Sequence, residues 1–62
     1  MLLKELLQVM PNNQVCKLTF IKGNEVIDVK GTASYILEGY NYLLEHELLA
    51  VFSSRNMISI HL

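Results

Sequence analysis

Gln14-Val15-Cys16-Lys17-Leu18-Thr19-Phe20-Ile21-Lys22-Gly23-Asn24-Glu25-Val26-Ile27-Asp28-Val29-Lys30 is the stretch from which the rest of the chain can be placed. From Gln14 to Ile21 the side chains alternate. Cys16, Leu18 and Phe20 fall on one face and Val15, Lys17, Thr19 and Ile21 on the other, the period of a strand. Lys22-Gly23-Asn24 reads as a turn, because Gly and Asn tolerate positive φ. The alternation resumes from Glu25 to Lys30, with Ile27 and Val29 on one face and Val26, Asp28 and Lys30 on the other. Together these segments predict a β-hairpin.

Upstream of the hairpin the period changes. Leu3, Leu6, Leu7 and Met10 recur at i, i+3, i+4 and i+7, Leu2 and Val9 widen the stripe, and Lys4, Glu5 and Gln8 lie opposite. Pro11 forbids continuation and Asn12-Asn13 are turn residues, so an amphipathic helix of about two and a half turns is expected. A helix that short must dock to persist.

Downstream, Gly31 is expected to break the strand and Thr32 to cap a second helix, with Ala33, Ile36, Leu37 and Tyr40 at helical spacing. Gly39 is a candidate left-handed stop, and residues 41–46 fit either a helical turn or a loop. Leu48 to Ser53 fits a short buried strand, Ser54-Arg55-Asn56 a turn, and Met57 to Leu62 a last strand with Ile58, Ile60 and Leu62 on one face. The order is α-β-β-α-β-β. It predicts one small α+β domain over residues 1–62, a four-stranded antiparallel sheet with two short helices packed on one face. Its core would draw on Leu3, Leu6, Leu7, Leu18, Phe20, Ile27, Val29, Ile36, Leu37, Ile58 and Ile60. The opposite sheet face would carry Val15, Thr19, Ile21, Val26 and Met57, too apolar a set to be idle.

At 62 residues a single domain buries only about 60% of its unfolded surface, so it needs a disulfide, a metal or a partner chain to be robust. Cys16 is the only cysteine, so no internal bridge forms, and His46, His61, Cys16 and the carboxylates show no ligand spacing. A partner chain is the remaining means. Composition agrees, since 52% of the residues are hydrophobic and only 18% charged. The net charge of −1 gives no pull toward nucleic acid, and the five basic residues are spread along the sequence. Lys4 and Glu5 precede any long apolar run, so neither a signal peptide nor a membrane span is expected and the cytoplasm is the default compartment.

Four residue clusters carry groups that could take part in chemistry or binding. In Glu45-His46-Glu47 only the two carboxylates could converge on a strand, and no pocket is implied; a solvated approach to a strand accounts for them. Cys16 could be a nucleophile, but it alternates with Leu18 and Phe20 and reads as a small buried hydrophobe. Tyr35, Tyr40 and Tyr42 have Glu38, Asn41 and Glu45 for neighbours rather than basic residues, which favours a protein interface or a core edge over base stacking. Lys22-Gly23-Asn24 lacks the spacing of a phosphate loop. No catalytic residue, cofactor or metal is expected.

The leucine-rich first helix, the hairpin ending in Lys30-Gly31-Thr32-Ala33, the short second helix and the strand Asn56-Met57-Ile58-Ser59-Ile60 form a layout similar to short accessory proteins of phages and prophages of Gram-positive bacteria. The similarity is one of pattern and transfers no functional residue. It implies a class of role, binding and blocking a host protein, a defence enzyme among them, in the host cytoplasm. The expectation is therefore a non-catalytic protein-binding module acting as a homo-oligomer, with a dimer favoured. Its candidate interface is Val15, Thr19, Ile21, Val26, Met57, Tyr35, Tyr40 and Tyr42. An assembly protein whose self-association is the function comes next, then a nucleic-acid-binding regulator, then an enzyme.

Overall fold

In the computed structural model, which describes residues 1–62, β1 (Val15–Lys22) and β2 (Glu25–Thr32) form the expected hairpin. A two-residue turn closes it, with Gly23 at φ 65°, and so fixes the register from Lys22↔Glu25 to Val15↔Thr32. β2 runs past Gly31, against the expected break. Gly31 lies on the helix-covered face beside Cys16, and a β-carbon there would overlap the ring of Tyr35. This glycine is needed for close approach, and the strand continues through it.

α1 (Leu3–Val9) is shorter than the apolar stripe and starts where the Leu2 amide donates to Glu5 Oε1 at 2.7 Å. α2 (Ala33–Gly39) starts at Thr32, whose hydroxyl accepts from the Tyr35 amide at 3.2 Å. Gly39 is not in the left-handed region, so it is not the stop expected of it; the chain passes through Tyr40 into a single 3-10 turn, Asn41–Leu43. The second hairpin is β3 (Ala50–Ser54) and β4 (Met57–His61), joined by Arg55-Asn56.

The four strands lie in the order β2-β1-β4-β3. The sheet is mixed, not antiparallel throughout: β1 and β4, one from each hairpin, pair in parallel from Val15↔Met57 to Thr19↔His61. The path between the hairpins accounts for this. After the 3-10 turn the chain runs along the start of α1, where the Leu3 amide donates to His46 O at 2.9 Å, Lys4 to Leu44 O at 3.0 Å, and Leu48 to Met1 O at 3.0 Å. That tether carries the chain to the far edge, where β3 forms, and the Arg55-Asn56 turn returns β4 into the gap beside β1.

Both helices cover the face bearing Cys16, Leu18, Phe20 and Ile60. The buried core is nine residues, Leu3, Leu7, Cys16, Leu18, Phe20, Ala33, Ile36, Leu43 and Ile60. Leu6, Ile27, Val29, Leu37 and Ile58, expected within it, are partly buried at its margin. Leu48 to Ser53 was expected to be a buried strand; Leu48 packs partly buried against the core, but Leu49 is 79% accessible and β3 beyond it is an exposed edge, with Val51 45% and Phe52 55% accessible. The helical layer is offset toward β2, where Tyr35 of α2 packs over Gly31, and does not reach β3, so apolar content in β3 does not translate into burial. No helix is long and apolar enough to cross a membrane.

Candidate functional site

The cross-strand registers set the layout of the uncovered sheet face, because paired residues share a face. One row runs Thr32, Val15, Met57, Ser54; the next Lys30, Lys17, Ser59, Phe52; the third Asp28, Thr19, His61, Ala50. Ile21 and Val26 extend it at the hairpin tip, 69% and 68% exposed. Val15, Thr19, Ile21, Val26 and Met57 thus share one surface, as the alternation indicated.

Polar contacts order this surface. Thr19 Oγ1 donates to Asp28 Oδ1 at 2.7 Å across the β1–β2 pair. Phe52 meets the ring of His61 edge-on, with centroids 5.3 Å apart. At the end nearer the second turn, Val15, Lys30, Ser54, Arg55, Asn56 and Met57 line an open cleft of about 550 Å³. The Gln14 side-chain amide donates to Asn56 O at 2.9 Å and to Val15 O at 3.0 Å, tying the β3–β4 turn to the start of β1.

The tyrosines lie elsewhere. Tyr35 packs over Gly31 on the helix side, its ring 6.0 Å from that of Tyr40, which is 6.2 Å from Tyr42. The candidate interface residues therefore divide between two surfaces, and the structure does not join them. Glu45 and Glu47 do not converge as a pair. Glu45 accepts from Lys4 Nζ at 2.7 Å and Glu47 from the Met1 amine at 3.1 Å, holding the start of α1. Cys16 Sγ is enclosed, donating toward Met10 Sδ at 3.4 Å, and burial pushes the thiol pKa up, which suppresses the thiolate that a nucleophile requires.

Four residues of the uncovered face were not anticipated as site residues: Lys17, Lys30, Arg55 and Phe52. The first two were legible, since a two-residue turn at Gly23-Asn24 forces Lys17 opposite Lys30. Arg55 and Phe52 required knowing that the second hairpin lies on the other side of β1. Basic residues spread along the sequence are thereby gathered: Lys17 and Lys30 lie on this face and Arg55 lines its cleft. No protein-family model matches the chain, and no curated protein or solved structure shows significant similarity to it.

Proposed function

We propose that the chain is a non-catalytic protein-binding module that docks its partner on the uncovered sheet face and self-associates through the edge of β3. The observation that carries the first part is the face itself, where Val15, Ile21, Val26, Phe52 and Met57 are left without a covering layer. The resemblance of the layout to phage accessory proteins, one of pattern alone, suggests a host protein as the partner, bound and thereby blocked.

A comparison of the two free edges supports self-association through β3. β2 carries Glu25, Asp28 and Lys30, charges that discourage strand addition, whereas Leu48 to Ser54 holds no charge and no proline. A two-fold antiparallel pairing of β3 with β3 extends the sheet to a second copy without opposing like charges. Face-to-face packing would set Lys17, Lys30 and Arg55 of one copy against those of the other, so edge pairing is the favoured geometry.

Sedimentation at micromolar to hundreds of micromolar concentration tests this. The unmodified chain is expected to run as a dimer, and the double variant Val51→Lys, Ser53→Lys as a folded monomer. A monomer at every concentration removes the self-association. For the docking face, a Met57→Asp variant with an unchanged circular dichroism spectrum is expected to lose a captured host protein that the unmodified chain retains. Retention by both would place the partner elsewhere.

A further inference from the structure

The uncovered face contains two features that a merely structural sheet does not need. Lys17 and Lys30 are directly opposed across β1 and β2, which brings two ammonium-bearing side chains out from β-carbons about 5 Å apart, an arrangement that destabilises a sheet. Neither has a carboxylate partner: the two ion pairs of the molecule are Met1–Glu47 and Lys4–Glu45. The one carboxylate among these rows, Asp28, accepts from Thr19 instead. The second feature is Arg55, held at φ 55° in a turn whose counterpart in the first hairpin uses Gly23 at φ 65°. A non-glycine residue in this region carries strain, which is commonly found where function fixes the residue.

Both features meet at one place. Lys30 and Arg55 line the same cleft, with Ser54 and Asn56 as further hydrogen-bond donors and Val15 and Met57 as its apolar walls. Lys17 stands beside Lys30, and Gln14 pins the turn that presents Arg55. The net charge of −1 conceals a segregation: Lys17, Lys30 and Arg55 stand against Asp28 on this side, while Lys4 and Lys22 stand against Glu5, Glu25, Glu38, Glu45 and Glu47 on the rest of the molecule.

We propose that this cleft binds a carboxylate-bearing, otherwise apolar segment of a protein partner. The inference rests on the protein-docking reading above and specifies the chemistry of what docks. A carboxylate matches the planar donor fork of Arg55 and relieves the repulsion between the two lysines. Apolar side chains flanking it would lie on Val15, Met57 and, farther along the sheet, Phe52. A nucleic-acid strand fits less well. Proteins that hold one tightly neutralise on the order of six to ten phosphates, and here only three cations and two aromatic rings, Phe52 and His61, which pack on each other, share the face.

The test is a titration of the ¹⁵N-labelled full chain, followed by amide shifts, with three probes. These are a blocked five-residue peptide of alternating glutamate and leucine, the same peptide with glutamine for glutamate, and a short oligothymidylate. Saturable shifts are expected with the glutamate peptide at residues 15, 17, 30 and 54–57, at least tenfold weaker for the glutamine peptide and for the Lys30→Gln and Arg55→Gln variants. Lys30→Gln should also melt no lower than the unmodified chain, because it removes a repulsion; a purely structural lysine would give a loss. Equal binding of both peptides, undiminished binding by the variants, or no shift at millimolar peptide overturns the acidic recognition while leaving docking of a neutral protein surface intact. Tighter binding of oligothymidylate than of either peptide overturns that docking reading as well.

Discussion

The two hairpins are closed by turns of the same length and differ in almost everything else. The first has eight residues in each strand, a glycine at its left-handed turn position, and a strand, β1, with three buried side chains. The second has five residues in each strand and an arginine at the equivalent position, and only Ile60 is fully buried. The first hairpin is specified locally, by alternation and turn chemistry. The second is held by what it packs beside: β4 is fixed by β1, and β3 hangs on β4 with an open edge. Local signals therefore decide that a hairpin forms, and tertiary pairing decides whether a weaker one persists.

The largest test of this contrast is truncation at matched positions of the two central strands. Leu18 and Ile60 are Cα partners in the β1–β4 ladder, and both are fully buried. Leu18→Ala and Ile60→Ala should each destabilise the protein by about 2–5 kcal/mol in chemical denaturation. A full loss for Leu18 with under about 0.5 kcal/mol for Ile60 would break the comparison, because a surface-like response places β4 outside the centre of the sheet.

Next in size is Gly31→Ala, expected to cost about 1–3 kcal/mol because the new methyl displaces the Tyr35 ring. In a Tyr35→Ala background the same change should cost much less. An additive double-mutant cycle would show that ring and glycine are independent.

The smallest effects sharpen the comparison at the turns. Gly23→Ala should destabilise by about 1 kcal/mol, and Arg55→Gly should stabilise by a similar amount, since both positions have positive φ. Thermal melts of the two single variants measure both. A loss on Arg55→Gly would mean that the arginine side chain contributes more to the fold than its backbone costs.

The first hairpin, the capped second helix and the faces of β1 and β4 were legible because each depends on neighbours within a few residues. Thr32, Gly23 and the Cys16-Leu18-Phe20 alternation need no distant partner to be read. The parallel pairing was not legible, because nothing in Val15–Thr19 or Met57–His61 prefers a parallel neighbour to an antiparallel one. It is decided by where residues 44–48 are tethered along α1. The same gap hid part of the site. Val15 and Met57 were placed on the right face, but the cleft they share with Lys30 and Arg55 exists only once the two hairpins stand side by side. Leu48 to Ser53 misled for a related reason: its composition suits a buried strand, and only its place at the edge leaves it wet.

The parallel ladder also bears on how quickly the chain reaches its native form. Val15 and Met57 are partners 42 positions apart, so the central contact of the sheet has to close a loop containing most of the protein. Pairings of that range are slow compared with hairpin closure. During synthesis, β1 and β2 can zip together as soon as both have left the ribosome, while the other side of β1 waits for β4. Through that interval the nascent chain presents Cys16, Leu18 and Phe20 on a hairpin with a vacant edge, a ready template for mispairing with another unfinished copy. Expression yield should therefore respond to translation speed through the second half of the message more than the native stability alone would suggest.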